Sequence, residues 1–421
     1  MNSIVIAKFG GSVIGVDGIS IPIIIQRINS LSKDAKVVAV FSAPLTVVEG
    51  KPTSLTDVAL ELGKRAEEGK AFDLIILRKT YEKILELVSS EFQEKCRRDI
   101  DELLDMVRIE LEKAMEKKEF ADEVRSLTLA YSGEILMSYV MKYIIQSQGI
   151  KSKAVKLENW PIITDSNIES TNFIASESNK RVEHLEKLLE QNQVITIGGF
   201  IGRTADGIIT TYERGGSDRT AADLGILLHK KFDVKIDLEK DNSVVSADPR
   251  IVKEGLTEVH SISYNEARLA GMFGMNILDP IAIKEILENG ASLPIVITDM
   301  RNPEKTTTVE RKITNTLTIK GKFWAGNFRY DNPVMMWGSI TSPHISPYEK
   351  HKTHIHLTKG NFRMIDSLRN KYDIDGGAKI TVDNGDMEVG NVRGTRQRVQ
   401  DPQGRAGMFT VLEHFSELIA P

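Results

Sequence analysis

The stretch QVITIGGFIGRTADGIITTYERGGSDRTAADLG, residues 193–225, decides the fold class of this chain. It opens with a β-branched apolar run that ends at a glycine pair, residues 198–199, which is typical of a buried strand followed by a tight turn. A hairpin around residues 205–207 follows, and a helix then begins at the Gly-Gly-Ser-Asp of residues 215–218. The free N–H groups and the positive end of such a helix attract anions, so the stretch predicts an anion-binding turn.

The start of this helix carries more chemistry than a helix end needs. Ser217 or Asp218 is the expected N-cap, and an ordinary capped helix is the alternative interpretation. A cap alone does not require two glycines together with Arg214 and an acid. The residues therefore favour a site where a phosphoryl acceptor and nucleotide phosphates meet.

Two other stretches have the composition of phosphate-handling turns. In AKFGGSVI, residues 7–14, a strand ends at Lys8 and two glycines follow, so that backbone N–H groups can approach an anion beside a fixed cation. A glycine turn with a surface lysine is the equally weighted alternative for this stretch alone. In SADPRIV, residues 246–252, a rigid Asp-Pro-Arg turn carries a cation, and in isolation it is only a turn.

Strand-like and helical patterns alternate along the first three quarters of the chain. Residues 18–32 have helical spacing, and residues 54–147 are mostly helical. This alternation predicts an α/β fold with an open, mostly parallel sheet sandwiched by helices. The predicted strands are residues 3–9, 35–43, 151–157, 193–200, 233–239 and 292–299.

The pattern changes near residues 315–330, and 421 residues exceed what one core usually supports. We therefore predict a catalytic domain over residues 1–315 and a smaller C-terminal α+β module over residues 325–421. Strands are expected at 333–340, 352–358, 378–394 and 407–415, and a helix at 362–372. His354 and His356 share one face of the second strand, but no nearby Cys or carboxylate completes a ligand set, so a polar strand is favoured over a metal site.

Composition excludes several classes of function. The formal net charge is −4 with both signs interspersed, which argues against nucleic acid or an anionic membrane as the main partner. No run reaches about 18 apolar residues, and the first residues lack a leader pattern. The single cysteine, Cys96, rules out a disulfide within the chain, and nothing local would activate it as a nucleophile. We expect a cytoplasmic enzyme, with homodimerisation as the base-rate state.

The motifs taken together resemble those of the amino-acid kinase superfamily, and most closely those of its aspartokinase branch. The resemblance covers about residues 1–310 in the family's order. The matching stretches are KFGGSVI (8–14), AVFSA (39–43), SGEILMS (132–138), GFIGRTADGIITTYERGGSDRTAA (199–222), DPR (248–250) and ISYNEARLAGMFGMNILDP (262–280).

This resemblance implies a fold, a reaction and a set of site residues. The family has an open eight-stranded sheet with ATP over its C-terminal half and the acceptor over its N-terminal half, at the strand ends. The implied catalytic residues are Lys8, at the transferring phosphoryl group, and Asp218, which orients the catalytic cations. The implied acceptor-binding residues are Ser42, Glu134, Arg214 and Ser217, and the nucleotide- or phosphate-binding residues are Gly10, Gly11, Ser12, Gly215, Gly216, Lys240, Asp248, Arg250 and Asn276. The implied cofactors are ATP and Mg²⁺, with no metal held by a dedicated protein site.

The chain departs from the family pattern at positions that would contact the nucleotide or the acceptor. The family lysine that touches the ATP phosphates is Asn276 here, and the TDVDG loop has become LEKDN, residues 238–242. Loss of a cation at a centre of developing charge is costly unless another replaces it, and Lys240, Arg250 or Arg219 are the candidates. The hundred C-terminal residues are also too few for the tandem ACT domains with which aspartokinases usually end.

Three functions follow from these observations. The first is an aspartokinase-like enzyme that makes an acyl phosphate from aspartate, supported by Ser42, Glu134 and Arg214. The second is a paralogue that phosphorylates the hydroxyl or phosphate of a phosphate-bearing acid, such as a phosphorylated mevalonate, held by Arg219 and Lys51. The third is a non-catalytic sensor of nucleotide or amino acid, which intact Lys8 and Asp218 argue against. For either enzyme the expected partner is a small acidic substrate.

Overall fold

A computed structural model of the chain supplies the fold. It describes residues 3–213, 215–245, 258–264, 267 and 277–310, and five strand segments between residues 322 and 389. These residues fall into two compact units, the first comprising residues up to 242 with 281–305 and the second residues 243–280 with 306 onward. The predicted domain boundary, between 315 and 325, lies mainly on residues outside the described ones and stays a prediction.

The strands and helices of the described residues are as follows. The strands are β1 (Ser3–Phe9), β2 (Lys36–Phe41), β3 (Leu45–Val48), β4 (Lys51–Ser54), β5 (Ser152–Ala154), β6 (Val194–Gly198), β7 (Ile201–Arg203), β8 (Ile209–Thr211), β9 (Asp233–Lys240), β10 (Ser261–Ser263), β11 (Ile295–Asp299), β12 (Thr306–Glu310), β13 (Lys322–Gly326), β14 (Val334–Ile340), β15 (Lys352–His356), β16 (Ile380–Asp383) and β17 (Asp386–Val389). The helices are α1 (Gly11–Ile14), α2 (Ile21–Leu31), α3 (Leu55–Glu67), α4 (Ile75–Leu85), α5 (Ser90–Lys117), α6 (Asp122–Ser132), α7 (Glu134–Gln146), α8 (Ala175–Ser178), α9 (Val182–Gln191), α10 (Ser217–Leu228) and α11 (Pro280–Glu288).

The first unit is built on a parallel sheet with the strand order β11-β9-β1-β2-β6-β5. Its central strands are buried on both faces, as their nearly continuous apolar runs require. Helices cover the sheet, with α10 against β1 and β9 and α7 against β6. The predicted α/β class with a mostly parallel sheet flanked by helices is confirmed, and so are all six predicted strands. The hairpin around 205–207 is also present, as β7 paired with β8.

The helical region before β5 forms a layer of its own. The long helix α5 packs against α3, α6 and α7, and its apolar stripe includes the fully buried Cys96. Burial raises the pKa of the Cys96 thiol to about 12, so this cysteine is a core residue rather than a nucleophile. Helix α2 is shorter than the 18–32 pattern predicts, because Asp17 and Gly18 have positive φ and form a turn. No helix in the described part of the chain is long and apolar enough to span a membrane.

The second unit contains two sets of strands. Strands β10 and β12 pair in parallel, and β13 to β17 form an antiparallel sheet in chain order. Strands β14 and β15 and the pair β16–β17 lie where the sequence predicts strands, whereas β13 was not predicted. The helix expected at 362–372 and the strand at 407–415 lie outside the described residues. The α+β class of this module therefore stays a prediction.

Candidate active site

The candidate site lies where the carboxyl ends of the neighbouring strands β1, β2, β6 and β9 meet. The chain segments that leave these strands are tied together by backbone hydrogen bonds. The Ser42 N–H donates to the Phe9 carbonyl at 3.0 Å, and the Gly199 N–H donates to the Phe41 carbonyl at 2.8 Å. These bonds hold the turn after β1, the loop after β2 and the glycine pair after β6 at one edge of the sheet, where ligands of open α/β sheets bind.

A cluster of three charged side chains occupies this edge. Lys8 Nζ, at the end of β1, lies 2.8 Å from Asp218 Oδ1, and Lys240 Nζ, at the end of β9, lies 3.6 Å from Asp218 Oδ2. Both Lys8 and Asp218 are buried, while the Lys240 side chain is 17% exposed. Burial and the neighbouring Lys8 charge lower the Lys240 pKa, while Asp218 opposes that shift. Two lysines against one acid leave one net positive charge, which suits an incoming anion.

The glycine turn beside this cluster leaves room only for backbone. A Cβ on Gly11 would lie 2.6 Å from the Ala43 carbonyl oxygen, and one on Gly10 would lie 3.3 Å from Lys8 Nζ. Glycine at these positions therefore allows the loop after β2 and the lysine to close on the turn. Ser12 follows on the short helix α1 and is exposed.

The start of α10 joins the cluster to the loop after β2. The Ser42 hydroxyl donates to Ser217 Oγ at 2.8 Å, and a Cβ on Gly199 would lie 2.5 Å from the same oxygen. The expected N-cap role of Ser217 or Asp218 is wrong: the helix begins at Ser217, its N-cap is Gly216, and no side chain caps it. Both candidate capping side chains are turned to other partners, Ser42 and the two lysines. Gly215, with φ of 93°, makes the turn into the helix.

Glu134 begins helix α7 on the other side of the loop after β2. It is 5% exposed, and its Oε2 is buried without a hydrogen bond from any of the described residues. Among the described residues no lysine or arginine forms an ion pair with it; the Thr56 hydroxyl lies 3.5 Å from Oε1. Burial raises the Glu134 pKa to about 7, with backbone N–H groups of Ala43 and Glu134 opposing the shift by less.

Tyr81 on α4 holds the chain just before this glutamate. Its hydroxyl lies 3.0 Å from the Ser132 carbonyl oxygen and 2.9 Å from the Gly133 carbonyl oxygen. Gly133 joins α6 to α7 in an irregular conformation, and its carbonyl also accepts the Met137 N–H of α7 at 2.9 Å. The Tyr81 hydroxyl is therefore a second partner of the carbonyl at the start of this helix. Sequence reasoning missed Tyr81 and Thr56, since neither belongs to a motif and both act through residues distant in sequence.

Arg219, predicted to bind the acceptor, is paired within the protein. It was assigned to the acceptor, yet it is 3% exposed and pairs with Glu285 of α11 through Nη2–Oε1 at 2.6 Å and Nε–Oε2 at 3.3 Å. Its guanidinium also stacks 4.0 Å over the ring of Tyr212. Lys51, the other cation considered for an acceptor phosphate, is exposed on the hairpin β3–β4. The predicted site residues Arg214, Asp248, Arg250 and Asn276 lie outside the described residues.

Comparison with known proteins agrees with this architecture. The model of the amino acid kinase family matches residues 3–299, and the chain belongs to that family. Within the family it is distantly similar to aspartokinases. It is 28% identical over 303 residues to the chloroplastic bifunctional aspartokinase/homoserine dehydrogenase 2 of Arabidopsis thaliana, covering 70% of this chain and 31% of that protein. It is 24% identical over 307 residues to the lysine-sensitive aspartokinase 3 of Escherichia coli, covering 72% of this chain and 63% of that protein.

Solved structures show the same fold. Escherichia coli aspartokinase III in complex with aspartate and ADP superposes with a TM-score of 0.63 at 18% identity, covering 90% of this chain and 76% of that one. Clostridium acetobutylicum aspartate kinase gives a TM-score of 0.54 at 21% identity, covering 90% and 77%. The chain spans about a third of the length of the bifunctional relatives it matches, 31%.

Proposed function

We propose that this protein transfers the γ-phosphoryl group of ATP directly to a carboxylate of aspartate, giving an acyl phosphate. The observation that carries the proposal is Glu134, a buried carboxylate whose Oε2 accepts no hydrogen bond from the part of the chain that the structure describes. Burying an ionised carboxylate without a hydrogen-bond partner costs on the order of several kcal/mol. The ammonium group of an amino acid would remove that cost by pairing with it. An acceptor that carries a phosphate in that place would instead be repelled.

The charge cluster fits the other half of the reaction. An acceptor carboxylate oxygen attacks the γ-phosphorus, and the bond to the oxygen bridging the β- and γ-phosphates breaks as ADP leaves. Lys8 and Lys240 neutralise the charge on the transferring group, and Asp218 holds both ammonium groups in place. Lys240 is thus the best placed of the described cations to replace the family lysine. The step needs no covalent enzyme intermediate.

Nucleotide and metal would enter this site together. The glycine turn after β1 and the N-terminus of α10 offer backbone N–H groups to the phosphates, as the family's use of ATP requires. Mg²⁺ would neutralise part of the phosphate charge, Asp218 would orient it, and it would take few ligands from the protein, which is how this ion usually binds. In the described part of the chain no three acidic, histidine or cysteine side chains are grouped as a metal site.

The alternative acceptor, a phosphate-bearing acid, loses the residues that suggested it. Arg219 is committed to Glu285, and Lys51 is exposed on a hairpin. The paired and buried Lys8 and Asp218 are likewise better explained by phosphoryl transfer than by a sensor that only binds.

A substrate pair that differs only in the amino group tests the proposal. With Mg-ATP and hydroxylamine, L-aspartate should give hydroxamate and ADP in equal amounts, whereas succinate, its deaminated analogue, should give at least tenfold less. ADP release is followed in parallel with phosphorylated hydroxy acids. Turnover of one of these without any aspartyl hydroxamate would reject aspartate as the acceptor, and equal use of succinate would reject the role given to Glu134.

A further inference from the structure

The helix α10 contains several ionisable side chains that are buried. All of its residues, from Ser217 to Leu228, are buried, and three of them are ionisable: Asp218, Arg219 and Asp223. Asp218 belongs to the phosphoryl site, but Arg219 and Asp223 point to other partners. Buried charges are retained only when they are paired and hydrogen-bonded, so these two residues need an explanation.

Four side chains from three segments form one connected set, which we name the α10 network. Arg219 makes a two-bond ion pair with Glu285 and stacks on the Tyr212 ring. The Tyr212 hydroxyl donates to Asp223 Oδ2. Asp223 Oδ1 has no N–H or O–H donor among the described residues, and the Glu285 carboxyl is near enough to raise the Asp223 pKa. The members of the network are Tyr212, Arg219, Asp223 and Glu285.

The network is electrically neutral if Asp223 holds a proton. Two carboxyl groups in contact cannot both be ionised, and one guanidinium compensates only one of them. Burial and the Glu285 charge raise the Asp223 pKa well above its usual range. A protonated Asp223 accepts from Tyr212 and donates to Glu285, so that each member has a partner.

The network also touches the turn that leads into the phosphoryl site. Tyr212 follows β8, and a Cβ on Gly216 would lie 2.4 Å from Tyr212 Cβ. The Tyr212 N–H donates to the Phe200 carbonyl at 2.9 Å, and the Phe200 N–H donates to Thr220 Oγ1 at 2.9 Å. Hydrogen bonds therefore join Phe200 both to Tyr212 and to Thr220 in the first turn of α10, and so fix the start of the helix from outside it.

We propose that the α10 network is a positioning device that fixes the first turn of α10 and so holds Ser217 and Asp218 against Ser42 and Lys8. This inference rests on the proposed phosphoryl transfer for its kinetic consequences. Its geometric consequence, the Lys8–Asp218 contact of 2.8 Å, does not depend on which acceptor the enzyme uses. The residues act through Asp218 and touch no substrate.

Conservative variants separate positioning from simple stability. Asn at 223 is neutral, accepts from Tyr212 and donates to Glu285, so Asp223→Asn should keep kcat within about threefold of the parent protein. Glu285→Gln replaces the two-bond ion pair of Arg219 by a contact with a neutral amide and should lower kcat about 10- to 100-fold, with the KM for the acceptor changed less than threefold. The double variant Arg219→Met/Glu285→Leu removes both charges and should recover the melting temperature of the parent protein but not its kcat.

A distant ion pair supplies the matched control. Glu110 on α5 is 2% exposed and pairs with Lys113, so Glu110→Gln should lower the melting temperature without changing kcat. If kcat follows the melting temperature through all variants, including recovery in the double variant, the network is only structural and the inference is wrong.

Crystal structures of the same variants keep this test independent of the acceptor. The Lys8–Asp218 contact should be lost in Glu285→Gln and kept in Asp223→Asn. An unchanged contact in Glu285→Gln would overturn the positioning role, whether or not aspartate is the substrate. Failure of the parent protein to form aspartyl hydroxamate would reject only the proposed acceptor.

Discussion

Glu134 and Asp218 are both acids of the first unit, each 5% exposed, yet their surroundings are opposite. Asp218 lies between two lysines, at 2.8 and 3.6 Å. Glu134 has no cation within ion-pair distance among the described residues, and its pKa is raised to about 7. The difference shows that one acid organises cations that are already part of the protein, while the other is left to be neutralised by a ligand.

The largest expected effect comes from removing a cation at the Asp218 side. Lys8→Met deletes the ammonium nearest Asp218 and should lower kcat for ADP release about 10²- to 10³-fold, as loss of a preorganised charge-stabilising donor does. Lys240→Met should cost less, because its ammonium is farther from the carboxylate. Equal activity of Lys8→Met and the parent protein would show that the cations around Asp218 do not stabilise the transferring phosphoryl group.

The next largest effect is expected when Glu134 loses its charge. Glu134→Gln retains the shape but loses a charge-assisted hydrogen bond to the amino group, worth about 1.5–3 kcal/mol. The kcat/KM for aspartate should fall about 10- to 150-fold, with the KM for ATP changed less than twofold. A rise in the KM for ATP of the same size would mean that Glu134 belongs to the nucleotide side.

The pH dependence of the same residue sharpens the comparison. Because the Glu134 pKa is raised to about 7, the free enzyme gains the charged form needed to bind an ammonium only as pH rises through 7, so the KM for aspartate should fall between pH 6 and 8.

The same pKa shift makes the folded protein less stable as the pH rises. From pH 4.5 to 7 the folded protein binds the Glu134 proton more tightly than the unfolded chain does, so the free energy of unfolding should fall relative to that of Glu134→Gln by up to about 3 kcal/mol. Parallel curves in urea titrations across that range would contradict the burial of an unpaired carboxyl.

A smaller effect is expected from the residue that supports Glu134 from behind. Tyr81→Phe removes the hydroxyl that serves the Ser132 and Gly133 carbonyls, and should raise the KM for aspartate about 3- to 10-fold while leaving the KM for ATP unchanged. Tyr139→Phe on α7 is the matched control. A kcat loss without a change in KM would place Tyr81 outside the acceptor site.

The smallest effect is expected at Lys51. Its side chain is exposed on the hairpin β3–β4, and surface changes of this kind usually stay within about 0.5 kcal/mol. Lys51→Ala should therefore change kcat/KM for aspartate less than twofold. A tenfold loss of kcat/KM would instead support an acceptor that carries a phosphate held by Lys51.

The sequence was most informative where local chemistry and fold agree. The apolar runs of β1, β2 and β6 and the glycines that follow them were sufficient to predict the parallel sheet. Strands that are apolar on both faces occur mainly in parallel sheets that helices cover on both sides. The position of Lys8 and Ser42 at one edge of the sheet was also predictable, since both stand at or just beyond the carboxyl ends of parallel strands.

The errors have a common physical origin. Ser217 or Asp218 was expected to cap the helix because that pattern is local, whereas the partner of the Ser217 hydroxyl, Ser42, is distant in sequence. The acceptor-binding role of Arg219 stays a prediction, and its ion pair with the distant Glu285 argues against it. Tyr81 escaped notice for the same reason. A short motif specifies which atoms are available, and only the tertiary structure decides which neighbour uses them.

Cys96 gives this protein a practical property. It is the single thiol of the chain, and its place in the core of α5 hides it from solvent. Any cysteine introduced on the surface would thus be the one site that a maleimide dye or spin label modifies in the folded protein. Distances between pairs of introduced surface cysteines are then open to spectroscopy on a chain that needs no prior removal of its native cysteine.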